Sequence, residues 1–165
     1  MVFLLIFVIS AGWSTGKARA DFTIEDEKKL GEKFLQAVLK QLRLVEDPEV
    51  VGYVDRVGQA IVAHLDVHVF PYDFYVVDSS ALNAFAAPAG HVFINRGLIE
   101  IMDDEGELAA ILGHEIGHVQ SRHIAQRMAR AQKLSIASIG GLLAGILLGG
   151  QAGAAVVAGS QAPRV

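Results

Sequence analysis

The chain has 165 residues, 52% hydrophobic and 19% charged, enough for one domain with a substantial core. Its net charge of −4 argues against a nucleic-acid binder, which would present basic patches. The absence of cysteine excludes disulfides, thiolate zinc ligands and lipid attachment through sulfur.

Residues 1–20 read as a signal peptide. The apolar run from Val2 to Ala11 is too short to span a bilayer, and Ala18-Arg19-Ala20 fits a small-x-small cleavage site, although no Lys or Arg precedes the run. Export would leave Asp21 at the mature N-terminus, and the domain proper is expected over residues 21–133. Thr23 opens a helix, with Asp26 three residues on as a capping partner and Leu30, Phe34, Val38 and Leu42 at helical spacing. Asp47-Pro48 opens the next, Asp as N-cap and Pro at the first helical position, with Val50, Val54, Val57 and Ile61 as its buried stripe.

From Pro71 the period changes. Tyr72 to Val77 is aromatic and β-branched and predicts a strand, as does Val92-Phe93-Ile94. The stretch between them, Asn83 to Gly90, reads as a Pro- and Gly-punctuated connection. A short helix is expected over Leu98 to Met102. Asp104 and Glu107 then have capping-box spacing and begin a helix that reaches to about Gln132, some 40 Å at about 1.5 Å per residue. Leu134 to Gly159 is apolar and rich in Gly and Ala, and Gly149-Gly150-Gln151 breaks it near the middle. Residues 134–159 therefore predict a helical hairpin, packed on the domain or resting at a membrane surface. The pattern as a whole is α+β: helices around a small antiparallel sheet, with the Asp104 helix packed beneath it.

That helix carries His114-Glu115-Ile116-Gly117-His118, an H-E-x-x-H run. Residues four apart stand one above the other on a helix, so His114 and His118 offer two imidazoles to one ion. Glu115 is turned by about 100° from His114, where its carboxylate can take a proton from an attacking water. This constellation means zinc-dependent hydrolysis, most often of a peptide bond, with one Zn2+ per chain. Leu108, Ile111, Leu112 and Ile116 give the helix an apolar face to bury, and Gly117 leaves room beside the metal. A catalytic zinc needs a third protein ligand. Glu107 shares the face but sits about 10 Å along the axis, and His123 is turned about 140° from His118. His91, at the start of the second strand, can approach only through the fold.

Two runs in this order, Asn83-Ala-Phe-Ala-Ala-Pro-Ala-Gly-His-Val-Phe-Ile-Asn-Arg-Gly-Leu-Ile and Glu105-Gly-Glu-Leu-Ala-Ala-Ile-Leu-Gly-His-Glu-Ile-Gly-His-Val-Gln-Ser-Arg-His, resemble the HtpX/CAAX-protease-like gluzincin metallopeptidases. The likeness is greatest to their exported bacterial branch, which serves outer-membrane quality control. It implies a mostly helical zincin-like fold, zinc ligands at His114 and His118, and a general base at Glu115. It also implies an edge strand near Val92 to Asn95, along which an extended substrate lies by β-augmentation. Asn83, Ala84, Val92 and Ile94 are then substrate-binding. The implied substrates are unfolded or misfolded envelope proteins, and the implied location is the periplasm or a membrane surface of a bacterium. The Gly/Ala-rich hairpin recurs in the same family. Its third zinc ligand, a Glu in an E-A-D-like motif on a later helix, has no counterpart here, since no Asp or Glu follows Glu115. The sequence thus reads as truncated before that ligand. This supports an alternative of a different class, a non-catalytic homologue that holds unfolded chains along its strand edge.

Overall fold

The computed structural model describes residues 22–122. The signal peptide and the hairpin expected over residues 134–159 lie outside the described residues. Helix α1 (Ile24–Gln41) begins as its sequence dictates, with the Thr23 hydroxyl accepting from the Asp26 N–H and the Asp26 carboxylate accepting from the Thr23 N–H. That reciprocal pairing, helped by Lys29, holds the Asp26 carboxyl below its usual range. Helix α2 (Pro48–Val62) follows Asp47, whose carboxylate accepts from the Glu49 N–H at 2.9 Å.

Three strands come next: β1 (Asp73–Val77), β2 (Ala84–Ala86) and β3 (His91–Asn95). The short 3-10 turn Pro88–Gly90 joins β2 to β3, and α3 (Arg96–Glu100) and α4 (Glu105–Gln120) follow among the described residues. The sheet order is β1-β3-β2. β2 pairs antiparallel with β3, but β1 pairs parallel with it, from Asp73 opposite His91 to Val77 opposite Asn95. The sheet is therefore mixed rather than wholly antiparallel. A parallel pair needs a crossover of about a dozen residues, and residues 78–90 supply it while contributing β2 on the way.

β2 was hidden in the sequence because Ala84-Phe85-Ala86 is too short and too small to carry a strand signature. Its membership in the sheet also changes the role of β3. The expected edge strand is the central one, and the edge belongs to β2. Val-Phe-Ile is a continuous apolar run, the signature of a strand covered on both faces rather than one exposed at a rim.

Strand alternation sorts the side chains into two layers. On one face, Phe34 and Val38 of α1 pack against Val77, Phe85 and Phe93. Phe93 stacks on both Tyr75 and Phe85, with ring centroids 4.8 Å apart in each case. On the other face, Val54 and Val57 of α2 and Leu108, Leu112 and Ile116 of α4 meet Phe74, Val76, Ala86, Val92 and Ile94. Each such buried side chain contributes about 1.5–3 kcal/mol. The metal-motif helix is thus held by its apolar stripe against one face of the sheet, with α1 on the other.

At both ends of β3 a close backbone approach requires glycine. Gly90 has φ +96, and a Cβ there would stand 1.9 Å from the Pro71 carbonyl oxygen. Gly97 lies against Ser80, with a Cβ placed 2.3 Å from its carbonyl oxygen. Helix α3 begins two residues before the expected Leu98.

Candidate metal centre and active site

Asp104 caps α4 by accepting from the Glu107 N–H at 3.1 Å. The Glu107 carboxylate does not return to its own cap but accepts from the Asp103 N–H at 3.1 Å. Glu107 is therefore spent at the helix start. The helix ends at Gln120, well short of Gln132. The Ser121 N–H returns to the Gly117 carbonyl, and Arg122 turns left-handed at φ 50, which no helical residue does. An arginine in that region costs about 1–2 kcal/mol relative to ordinary helical geometry, so something must hold it there. Its guanidinium Nε donates to the Glu27 carboxylate at 2.6 Å.

His114 and His118 converge. Their Nε2 atoms are 3.2 Å apart, with the rings nearly perpendicular at 82° and centroids 4.6 Å apart. Two nitrogens bound at about 2.0–2.1 Å to one tetrahedral zinc stand about 3.3–3.4 Å apart, so the pair fits the ion as two of its ligands. Among the described residues no group of three His, Cys, Asp or Glu side chains forms a complete metal site.

Glu115 is half-buried beside them. Burial raises its carboxyl above the usual range, while His118, His114 and a hydrogen bond from the Ala86 backbone favour the charged form. Ala86 is the partner that sequence reasoning missed. The ladder explains why it is available. Asn95 N–H donates to the Asn83 carbonyl at 2.9 Å and Ala87 N–H to the His91 carbonyl at 2.7 Å. Odd-numbered residues of this segment thus bond inward to β3, and Ala84 and Ala86 direct their backbone groups outward. Glu115 therefore meets the edge of β2 that faces away from β3.

The substrate-binding expectations divide on this geometry. Ala84 lies on that edge, and Asn83 enters it. Val92 and Ile94 do not: each is 1% exposed, buried towards α2 and α4, with its backbone flanked by strands on both sides. His91 stands on the α1 face of the sheet, where its Nδ1 lies 3.4 Å from Asp73 and 3.4 Å from the Tyr75 hydroxyl. The sheet separates it from α4. His64 donates locally from Nδ1 to the Ala60 carbonyl at 2.7 Å, and His68 packs edge-on to Tyr72. His123 lies outside the described residues. No helix among the described residues is long and apolar enough to cross a membrane.

Comparison with known proteins agrees with this geometry. The chain is 34% identical over 148 residues to the beta-barrel assembly-enhancing protease of Yersinia pestis, covering 88% of this chain and 30% of that protein. The Escherichia coli (strain K12) protein of the same name is 30% identical over the same coverage. Mitochondrial metalloendopeptidase OMA1 of Schizosaccharomyces pombe is 28% identical over 118 residues, 70% of this chain and 35% of that protein. The chain thus spans about a third of the length of these curated relatives. Residues 48–161 match Peptidase family M48, which takes in the paired imidazoles, Glu115 and the β2 edge, and the chain belongs to that family.

Proposed function

We propose that this chain carries the catalytic, zinc-binding portion of an exported zinc metalloendopeptidase. Its substrates are misfolded or mis-assembled envelope proteins of a bacterium, and it works in the periplasm or at a membrane surface. The observation that carries this reading is the 3.2 Å approach of the two Nε2 atoms beside a carboxylate that also touches the sheet edge. The names of the bacterial relatives, beta-barrel assembly-enhancing proteases, support the substrate class.

His114 and His118 would hold the ion, with the third donor supplied from beyond residues 22–122. When bound, zinc supplies Lewis acidity to the scissile carbonyl and to water. Glu115 holds the proton. Its raised affinity for one suits a group that removes a proton from the attacking water and returns it to the leaving amine. An extended substrate segment would add to β2 by pairing with the outward groups of Ala84 and with the Ala86 carbonyl. Such pairing reads backbone rather than side chains and suits a peptidase that handles unfolded chains.

The test is Glu115→Gln in the full chain, assayed on an unfolded β-barrel protein. Loss of about 10²–10⁴-fold in kcat with zinc retention intact is expected. Wild-type activity in that variant overturns the mechanism.

A further inference from the structure

Helix α1 lies across the sheet from α4, yet it meets the chain beside the site at two points one helical turn apart. Glu27 is 1% exposed and is the one charged side chain fully buried among the described residues. It receives Arg122, which stands just beyond the last turn of α4, four residues after His118. Gly31 receives the turn that leaves β2. A Cβ at Gly31 would stand 2.6 Å from the Pro88 carbonyl oxygen and 2.7 Å from the Ala89 Cβ. Ala89 is itself left-handed, at φ 66, so the turn is a fixed shape pressed onto the helix. Residues 27 and 31 share one face of α1. That face therefore holds both the end of the imidazole-bearing helix and the end of the edge strand.

We propose that Glu27, Arg122 and Gly31 form a brace that sets the position of the His114–His118 pair relative to the β2 edge. Glu27 and Arg122 are positioning residues, acting through the pairing they make with each other at 2.6 Å. The physical need is plain. Apolar packing of Leu108, Leu112 and Ile116 on the sheet is non-directional and does not by itself fix one orientation of the helix end. An ion pair is directional, and here the carboxylate is buried while Arg122 stays half-buried; replacing buried charge pairs with well-packed apolar groups is often neutral or stabilising. A carboxylate kept in the interior here thus specifies geometry more than it adds stability. What is positioned rests on the peptidase reading; the brace itself does not.

The discriminating variant is the double replacement Glu27→Met with Arg122→Met in the full chain, alongside Arg122→Lys and Gly31→Ala. The double variant removes both charges and keeps the volume buried. It is expected to melt close to wild type while amide exchange in residues 115–120 rises about tenfold and that in α2 does not. Its kcat on an unfolded protein should fall at least about tenfold with KM little changed, because displacement of the ligand helix spoils attack rather than edge pairing. Arg122→Lys should recover part of the loss. Gly31→Ala should speed exchange in residues 86–91 instead. Uniform exchange changes, or wild-type exchange at the α4 end in the double variant, overturn the brace. If the wild-type chain cleaves nothing, the peptidase reading fails, and the exchange pattern alone decides the brace.

Discussion

His91 shows how one residue's surroundings choose its role. It begins β3, one strand away from the edge that Glu115 meets, and the pleat turns its ring to the α1 face. There burial lowers its pKa from 6.5, outweighing the opposing influence of Asp73 and Glu32. The imidazole is thus neutral in the fold over a range where the unfolded chain binds a proton. Where the unfolded state holds more protons, stability rises with pH. Its contribution is complete above pH 6.5 and is lost as pH falls from 6.5 through the lowered folded value. Replacing His91 with Gln should flatten that acid-side slope, measured as unfolding free energy in urea at a series of pH values. An unchanged slope would show that His91 is not held neutral.

At the scale of elements, the β2 edge makes the sharpest claim. Ala84 directs its N–H outward, whereas Phe85 bonds into the ladder and buries its ring against Phe93. Proline at 84 therefore removes a group available to substrate, while proline at 85 removes a sheet bond and a core ring. Ala84→Pro should raise KM about five- to tenfold, the worth of about one net hydrogen bond, and leave the melting temperature nearly unchanged. Phe85→Pro should cost about 3 kcal/mol or more of stability. A KM unaffected by Ala84→Pro would place the substrate elsewhere. The helices and two longer strands were legible because caps and periodicity are local: Thr23 with Asp26, Asp47 with Pro48, and Asp104 ahead of an apolar stripe. The His114-Glu115-His118 constellation was legible for the same reason. β2 was not, because three small residues become a strand only when β3 pairs with them. Glu27 left a trace, being a charge in line with the buried Gly31, Phe34 and Val38. Its partner, 95 residues away, left none.

At the scale of the molecule, the question is what holds the ion. Two imidazoles at 3.2 Å satisfy half of a tetrahedral shell, and a catalytic site needs a third protein donor to keep its zinc. Any ligand that binds only the folded state stabilises it by mass action, by about 2.7 kcal/mol at a hundredfold excess over Kd. For a chain of this size that corresponds to a rise of about 5–10 °C in melting temperature. Zinc added to the full chain, stripped beforehand with a strong chelator, should produce such a rise. His114→Ala and His118→Ala should each abolish it, because a lone imidazole binds zinc weakly. Glu115→Gln should preserve it, because that side chain serves the proton and not the ion. A shift that survives loss of either histidine would place the zinc away from α4. A shift absent from wild type even at saturating zinc would mean that the third donor lies outside this sequence.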